Sequence, residues 1–466
     1  MADLPPLPLP PGITSSLIPC PAVNLQFHVL SSGDDHGDNH GGDPDTPRPL
    51  RPLIVLLHGF PEIAYSWRKV LPLLSAAGYH AVAVDLRGYG RTTPLRPSEN
   101  PSSDPRTPFE ASDLDDYRLT RLVTDMVALV HALGHRRVAC ITGHDFGAVP
   151  AALCALVRPD MFRSLLLLSH PVTGMPDLPF DTAPGHANDP ASGAAKPDHS
   201  SKEEDEDQGP NIYAALAQLS PPRKHYKQYY AQPHANADMM AAPQGLRAFL
   251  RGYFHLKSAA WAGNAPHALS GWTATELANM PAYYIMPLRS TMPEAVAEAM
   301  ASIPSASSSS SSSSMPSSSS SPKTNHDDPN PNPEPEPDHD DHDDHDDHDP
   351  LLPFLPPSSL TVYTTEYART TFQGGLNSYR LQFSPRHLSD LLLYAGAHIT
   401  VPARFVAGER DWGMFQVPGA LESMARYCRD WRGVGVVEGA GHWVQQERPA
   451  EVAGEVLRMA GLGGGE

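Results

Sequence analysis

The sequence predicts an α/β protein with a mostly parallel sheet into which a mainly helical lid is inserted. Short, continuous apolar runs alternate with helical segments, which is typical of a parallel sheet covered by helices on both faces. The alternation stops after residue 170 and resumes near 398, and the stretch between is helical in pattern and interrupted by prolines. These two observations indicate a core in two parts that flank a lid.

The first part of the core contains four predicted strands and two predicted helices. The strands are runs rich in Val, Ile, Leu and Ala, at 52–59, 80–85, 137–142 and 164–169. The first helix, 68–77, ends before Gly78. The second, 119–133, has apolar residues at helical spacing and ends before Gly134, a residue typical of the position after a helix.

The second part of the core contains two predicted strands, 401–407 and 434–437. We therefore expect residues 1–170 and 398–466 to form the core and residues 171–397 to form the lid. A chain of 466 residues is long enough for one large core with such an addition.

The net charge of −19 is concentrated in three tracts. The acidic residues cluster at 34–45, 201–207 and 325–350, inside longer segments with little apolar surface to bury, so that ordering them would cost more entropy than burial returns. Three disordered insertions are therefore predicted, at 31–50, 181–210 and 302–350. The rest of the chain is close to neutral, which argues against a nucleic-acid partner.

A repeat of aspartate and histidine runs from Asp338 to His345. Its imidazole and carboxylate groups could hold a divalent metal weakly, but a solvated low-complexity loop is the simpler interpretation. We expect neither a cofactor nor a metal in the folded part.

Several features favour a cytoplasmic protein. The four cysteines are scattered without the spacing of metal ligands, as expected for free thiols in a reducing compartment. The proline-rich start lacks the pattern of a signal peptide, the last residues are not a peroxisomal signal, and no run approaches the length of a membrane span. No feature indicates an oligomeric state.

The motif with the strongest chemical signal is Gly143-His144-Asp145-Phe146-Gly147-Ala148, between a predicted strand and a helix. Small residues around a central polar one allow a tight turn that exposes the central side chain, as in the nucleophile turn of esterases. Serine is usual there, whereas this chain has Asp145. A helix N-cap is the simpler role for an aspartate in this place, but the motifs below favour a nucleophile.

A carboxylate nucleophile changes the class of reaction. Attack on an acyl group would give an anhydride, whereas attack on a saturated carbon gives an alkyl ester that water can hydrolyse. The substrate is therefore expected to carry a leaving group on saturated carbon, either an epoxide or a carbon–halogen bond.

A second motif, His58-Gly59-Phe60-Pro61-Glu62, ends the first buried strand. Its turn can direct the backbone N–H of Phe60, together with that of Phe146, at an ester oxyanion. The Phe60–Pro61 bond is a plausible cis peptide bond.

A third motif, Gly439-Ala440-Gly441-His442-Trp443, follows the last predicted strand. The chain order nucleophile, acid, histidine makes His442 the candidate base. Asp411 is the candidate acid because a loop at a strand end can turn its carboxylate toward the imidazole, and Glu409 is the competitor.

Together these motifs resemble the α/β-hydrolase superfamily and, within it, the soluble epoxide hydrolases. The resemblance includes Tyr65-Ser66-Trp67 and Asp85-Leu86-Arg87-Gly88-Tyr89-Gly90, and it covers about residues 50–170, 395–460 and parts of the lid. It implies the reaction of an epoxide with water to give a vicinal diol through an ester of Asp145, with His442 and Asp411 as partners.

The resemblance also implies two lid tyrosines that donate to the epoxide oxygen. Tyr379 matches the family pattern Leu-Asn-x-Tyr-Arg, and Tyr226 is similar to the first lid tyrosine, with Tyr229 and Tyr283 as alternatives. A neutral phenol can donate a proton to a developing alkoxide. The residues implied to contact the substrate are Trp67, Phe146, Tyr226 and Tyr379.

The expected substrate is a small hydrophobic epoxide. Apolar lid residues favour a hydrophobic substrate, namely Phe249, Phe254, Trp261 and Trp272. Ser378 stands where relatives commonly have a bulky Trp, which changes the pocket near Tyr379.

Two other functions stay open. Haloalkane and haloacid dehalogenases use the same Asp-His-Asp triad. However, Phe60 and Phe146 lack the side-chain N–H groups that hold a halide, and Phe146 and Val149 stand where fluoroacetate dehalogenases have arginines for a carboxylate. A non-catalytic binding protein on the same fold is the other alternative, although all three triad candidates are present.

Overall fold

The computed structural model describes residues 4–34, 50–96, 104–178, 211–303 and 347–463. Eleven strands lie in these ranges: β1 Thr14–Cys20, β2 Leu25–Ser32, β3 Leu53–Leu57, β4 His80–Val84, β5 Thr93–Pro94, β6 Val138–His144, β7 Leu165–Leu168, β8 Arg223–His225, β9 Ile285–Pro287, β10 Ile399–Gly408 and β11 Cys428–Val437.

Nine of the strands form one sheet with the order β1-β2-β4-β3-β6-β7-β10-β11, and β5 pairs with β2. The six strands from β4 to β11 in this order are parallel, while β1 and β2 are antiparallel to their neighbours. Leu57 at the end of β3 pairs with Gly143 near the end of β6. The carboxyl ends of the central strands therefore meet at one edge of the sheet, where α/β proteins bind their ligands.

Fifteen α-helices accompany the strands in the described ranges: α1 Leu71–Ala76, α2 Leu119–Ala132, α3 Ala148–Val157, α4 Ile212–Ala217, α5 Tyr226–Tyr230, α6 Ala235–Met240, α7 Leu246–Lys257, α8 Ala274–Leu277, α9 Met292–Ala301, α10 Pro357–Thr370, α11 Gln373–Gln382, α12 Pro385–Leu388, α13 Ala420–Tyr427, α14 Val444–Glu447 and α15 Pro449–Gly463. Helices α1, α3, α13 and α15 pack on the sheet. The central strands are therefore fully buried, as their continuous apolar runs predict.

All six predicted core strands are present, and helix α2 covers nearly the whole predicted range. Helix α1 is shorter than predicted because Pro72 lies in its first turn, so that the helix begins at Leu71. The hairpin of β1 and β2 was not predicted. Its edge strand β1 is mostly exposed and lacks a continuous buried run, so it has no clear pattern to read.

The lid lies between β7 and β10. It contains helices α4 to α12 and a two-stranded antiparallel sheet, β8 with β9, and no described residue between 169 and 398 joins the main sheet. This arrangement agrees with a lid inserted into an α/β core, while the limits of the domains at 170 and 398 stay a prediction.

Two of the predicted disordered insertions, 31–50 and 302–350, include residues that belong to the fold. Ser31 and Ser32 belong to strand β2 and pair with β4, because they continue its hydrogen-bonded ladder. Asp349 is buried and forms an ion pair of 2.5 Å with Arg251 of α7. The remainder of the predicted insertions lies almost entirely outside the described residues, including the 181–210 segment and the Asp338–His345 repeat.

Two further expectations concern cysteines and membrane spans. All four cysteines are buried free thiols. In the described ranges, every helix is too short or too polar to cross a bilayer.

Candidate active site

The three chemistry-bearing motifs meet at the carboxyl end of the sheet. Asp145 follows β6, Asp411 follows β10, and His442 follows β11. All three side chains are buried, with Asp145 the most exposed at 7%. The sheet topology therefore assembles residues that are up to about 300 positions apart in the chain.

Asp145 lies in a strained turn between β6 and α3. Its φ is +49°, in the left-handed region that L residues other than glycine rarely adopt. The turn is possible because glycines surround it: a Cβ on Gly147 would lie 2.5 Å from the backbone oxygen of His58. The geometry is that of a nucleophile elbow, in which the central carboxylate projects from the sheet edge.

His442 bridges the two carboxylates. Its Nδ1 donates to Oδ1 of Asp411 at 3.0 Å, and its Nε2 lies 3.4 Å from Oδ2 of Asp145. The Asp411 oxygen also accepts the backbone N–H of Gly413 at 2.7 Å, which fixes the direction of the carboxylate. The competing acid, Glu409, accepts instead from the backbone of Gly439 at 3.1 Å. The geometry therefore selects Asp411.

The charges of the triad stabilise one another. Burial alone would raise the pKa of Asp145, but the hydrogen bond and charge of His442 and the charge of Lys257 outweigh it, so the pKa lies well below its ordinary value. Burial and Lys257 act to lower the pKa of His442, yet Asp411 and Asp145 raise it overall. The carboxylate of Asp145 is therefore ionised at neutral pH, as a nucleophile requires.

The Phe60 backbone lies where the sequence predicts an oxyanion donor. Its N–H donates to Oδ1 of Asp145 at 3.0 Å, and the Phe60–Pro61 bond is cis, as expected. The side chain of Phe146 lines the cavity beside Asp145. Phe60 therefore has the geometry of one donor to an oxyanion that forms on this carboxyl group.

A buried network that the sequence analysis missed holds the His442 backbone. Its carbonyl oxygen lies 2.7 Å from Nε2 of His144 and accepts from Oγ of Ser169 at 3.1 Å. The other nitrogen of His144 lies 2.6 Å from Oε2 of Glu62. Glu62 and His144 belong to motifs quoted above, but a sequence contains no information on this contact across the sheet.

A cavity of about 70 Å³ lies over Asp145, between core and lid. Its lining residues are Leu119, Asp145, Phe146, Val149, His170, Tyr226, Lys227, Ser378, Tyr379, Leu381, Gln382 and Leu388. Both predicted lid tyrosines thus share a cavity with the predicted nucleophile, and Ser378 lies in its wall.

The two lid tyrosines lie close together and are neutral. Their ring centroids are 6.0 Å apart. Burial, and then the charge of Asp145, raise the pKa of both phenols well above the ordinary value. The hydroxyl of Tyr226 donates to Oε1 of Gln416 at 2.9 Å. The two alternative tyrosines form hydrogen bonds with other residues: Tyr229 donates to Asp238 at 3.0 Å, and Tyr283 donates to Asn264 at 2.5 Å.

Some predicted contacts are not part of this cavity. Trp67 is completely buried and does not line the cavity, so its contact with the substrate has no support from the geometry. The four aromatic residues that suggested a hydrophobic substrate do not line it either: Phe249, Phe254, Trp261 and Trp272. Phe249 and Phe254 instead belong to the hydrophobic core because they pack on aromatic neighbours such as Phe372 and Trp443.

Two polar residues of the cavity were not predicted. Lys227 follows Tyr226 directly in the sequence, and His170 follows β7. Burial and the charge of Lys227 lower the pKa of His170 to about 4, so this imidazole is neutral at ordinary pH. Neither residue belongs to a motif, because their proximity depends on how the lid sits on the core.

One group in the described part of the chain has the geometry for a metal ion: Asp113, Asp115 and His387. Its members are exposed or half-buried, and Asp115 also pairs with Arg118 at 2.7 Å. None of the three lines the cavity over Asp145.

The sheet order, the elbow and the triad define the class of the protein: it has the α/β-hydrolase fold. A profile of the alpha/beta hydrolase fold matches residues 52–218. The predicted fold class is therefore confirmed.

Among individual proteins, the chain is similar to epoxide hydrolases. The chain is 26% identical to epoxide hydrolase B of Mycobacterium tuberculosis over 427 residues, which cover 91% of this chain and 95% of the relative. It is 39% identical to epoxide hydrolase 3 of Siraitia grosvenorii over 130 residues, 28% of this chain and 36% of that protein.

Solved structures have the same fold. An epoxide hydrolase from an endophytic Streptomyces is 25% identical, with a TM-score of 0.59 and coverage of 97% of this chain and 96% of that one. Potato (Solanum tuberosum) epoxide hydrolase I is 23% identical, with a TM-score of 0.57 and coverage of 96% and 98%. The predicted resemblance to the epoxide hydrolases is confirmed.

Proposed function

We propose that this protein is an epoxide hydrolase that opens an epoxide through an ester of Asp145 and then hydrolyses that ester to a vicinal diol. The observation that carries the proposal is a carboxylate at a nucleophile elbow, 3.4 Å from a histidine that an acid orients, in a cavity shared with two tyrosines. The names of the relatives and the fold support an epoxide hydrolase.

In the first step, the Asp145 carboxylate attacks a ring carbon and the carbon–oxygen bond of the epoxide breaks. The low pKa of Asp145 keeps it ionised. Negative charge develops on the epoxide oxygen, and Tyr226 and Tyr379 donate to it as neutral phenols in the same cavity. The product of this step is an alkyl ester with a neighbouring hydroxyl group.

In the second step, His442 takes a proton from a water molecule that attacks the ester carbonyl. The bond between the carbonyl carbon and the diol oxygen then breaks, and the diol leaves with a proton returned by His442. Esterification removes the negative charge that helps to raise the pKa of His442, so the pKa falls, and the proton that the imidazole loses restores the tyrosine that protonated the epoxide oxygen. The backbone N–H of Phe60 stabilises the oxyanion, since it already lies 3.0 Å from Oδ1 of Asp145, and we assign Phe146 as the second donor.

The two alternatives have less support. The side chains of Phe60 and Phe146, whose backbones flank the nucleophile, offer no N–H group to hold a departing halide. A binding protein has no need of a buried histidine that is hydrogen-bonded to one buried carboxylate at 3.0 Å and lies 3.4 Å from a second.

The remaining parts of the proposal concern substrate and location. The apolar part of the cavity lining favours an epoxide with an aliphatic or aromatic portion. This part consists of Leu119, Phe146, Val149, Leu381 and Leu388.

We propose Asp145, His442, Asp411, Tyr379, Tyr226, Phe60 and Phe146 as the site residues. The free thiols support a reducing location such as the cytoplasm.

The test follows an oxygen isotope from water into the carboxylate of Asp145. Many turnovers of an epoxide in ¹⁸O-labelled water should place ¹⁸O in the Asp145 carboxylate, because the ester is cleaved at its carbonyl carbon. In a single turnover the diol should carry unlabelled oxygen from Asp145. The peptide that contains Asp411 is the control and should stay unlabelled. A labelled diol in the first turnover, with an unlabelled Asp145 peptide, would show direct attack by water.

A further inference from the structure

The cavity over Asp145 contains a lysine that no motif explains. Lys227 belongs to helix α5 of the lid and lines the cavity together with Asp145 and His170. Its charge lowers the pKa of His170 and of His225, and the charge of Asp145 acts to raise the pKa of Lys227 itself.

The ammonium of Lys227 has no close carboxylate. Within the described ranges, no acidic side chain lies within 4.0 Å of it, and no hydrogen bond of its Nζ is formed. Asp145 attracts it only at longer range. Lys227 is half-buried, so a cation without a close carboxylate lies in the wall of the cavity and can pair with an anion that enters it.

We propose that Lys227 and His170 form an anion subsite that selects compact epoxides carrying a carboxylate. This inference rests on the proposed function and specifies its substrate class. Lys227 neutralises the carboxylate, and the neutral imidazole of His170 donates one N–H to it. The residues that follow Asp145 offer no cation for a carboxylate, whereas Lys227 of the lid brings one into the cavity wall.

The size of the cavity supports a compact substrate. A volume of about 70 Å³ corresponds to only a few water molecules, since one water needs roughly 10–15 Å³ in this measure. A short epoxide acid, with a few bonds between the oxirane and the carboxylate, fits this space and is suited to test the subsite.

The experiment compares two epoxides of equal size, 3,4-epoxybutanoate and 3,4-epoxybutanamide. The wild-type enzyme is expected to favour the acid by at least about tenfold in kcat/KM, mainly through KM. Lys227→Met should abolish this preference, because it lowers kcat/KM for the acid much more than for the amide. Lys227→Arg, which keeps the charge, should retain it.

Lys224→Met is the matched control. Lys224 is also a half-buried lid lysine, but its Nζ lies over the ring of Tyr229 at 4.9 Å and it does not line the cavity. This variant should keep the wild-type preference. A wild-type enzyme without preference, or an equal loss on both substrates in Lys227→Met, would overturn the inference and assign Lys227 to the charge balance of Asp145.

Binding of unreactive ligands separates this inference from the proposed function. Butanoate should bind the wild-type enzyme more tightly than butanamide in calorimetry, and Lys227→Met should remove the difference. If this difference is present but neither epoxide is opened, the subsite stands and the proposed function fails. If both epoxides are opened and butanoate shows no advantage, the function stands and the subsite is wrong.

Discussion

The hydroxyl of Tyr226, in the lid, donates a hydrogen bond of 2.9 Å to Oε1 of Gln416, in the core. Gln416 follows the 3-10 turn that begins after Asp411, so the bond joins a predicted proton donor to the loop of the predicted acid. Both side chains are buried, and Nε2 of Gln416 has no acceptor in the described part of the chain. A half-turn of this amide would let Nε2 donate to the tyrosine oxygen and free the phenol proton for the substrate.

Gln416 is therefore expected to position Tyr226. Gln416→Met keeps the size of the side chain and removes the hydrogen bond, and we expect it to slow ring opening about tenfold, the value of one modest hydrogen bond. In a Tyr226→Phe background the same change should have almost no further effect, because the two residues act as a unit. Stopped-flow measurement of ester formation checks this. Additive losses would show that Gln416 acts independently of Tyr226.

The strained backbone of Asp145 leads to a prediction on stability. Asp145→Ala and Asp145→Gly both remove the carboxylate and should both be inactive, but only glycine adopts a φ of +49° without strain. We expect the glycine variant to be more stable than the alanine variant by about 1 kcal/mol, measured by denaturant unfolding. Equal stability of the two variants would mean that the elbow relaxes when the carboxylate is absent.

His442 should control the second half of the reaction. His442→Gln is expected to accumulate the Asp145 ester after one equivalent of product, because general-base assistance is worth about 10²–10⁴-fold. A burst of one equivalent, followed by intact mass spectrometry of the protein, checks this. Steady turnover at the wild-type rate without a burst would exclude the role.

Acid pH should have a similar effect on the wild-type enzyme. The pKa of Asp145 is well below its ordinary value, so alkylation should persist as the pH falls. Hydrolysis of the ester needs neutral His442 and should be lost as the pH falls through the pKa of His442 in the ester. The ester should therefore accumulate at low pH and disappear when the pH is raised.

Whether the sequence could predict a strand depends on how deeply that strand is buried. Strands such as Leu53–Leu57 and Leu165–Leu168 are apolar throughout because they are covered on both faces, and such runs are visible in any sequence. Strand β1 lies at the edge of the sheet and is largely exposed, so its residues carry no comparable pattern.

The residues of the candidate site also differ in how far the sequence could predict them. Asp145 follows the fully buried strand β6, and Asp411 and His442 follow the last two strands of the sheet, so the order of strands and motifs was enough to predict that they meet. Contacts between lid and core were not predictable: Tyr226 and Gln416 are 190 positions apart, and nothing in the local sequence of either indicates the other.

The contact between helix α11 and the core should set the position of Tyr379. A Cβ on Gly374 would overlap the backbone of Gly88, so the helix can approach this closely only with glycine there. Gly374→Ala is expected to destabilise the fold by about 1–3 kcal/mol and to lower kcat, because the helix that carries Tyr379 must move away from the core. Denaturant unfolding and steady-state kinetics measure the two effects. Gly454→Ala, at a position with open space around it, is the control and should not reduce stability.

The lid tyrosines separate epoxide from halide chemistry. Opening an epoxide creates an alkoxide that needs a proton donor, whereas a departing halide needs only weak hydrogen bonds. Loss of one such donor typically costs about 10²–10³ in rate, so Tyr379→Phe should slow alkylation by an epoxide strongly. The Tyr226→Phe, Tyr379→Phe double variant should nearly abolish it, because both phenols line the cavity with Asp145.

A matched alkyl halide provides the control for this prediction. If the enzyme alkylates Asp145 with the halide at all, the double variant should retain most of that rate, since its nucleophile and triad are unchanged. Single-turnover ester formation measures both reactions on one scale. An epoxide opened at nearly the wild-type rate by the double variant would mean that the proton donor is another group of the cavity. Lys227 is then the first candidate, because it is the cationic donor in that lining.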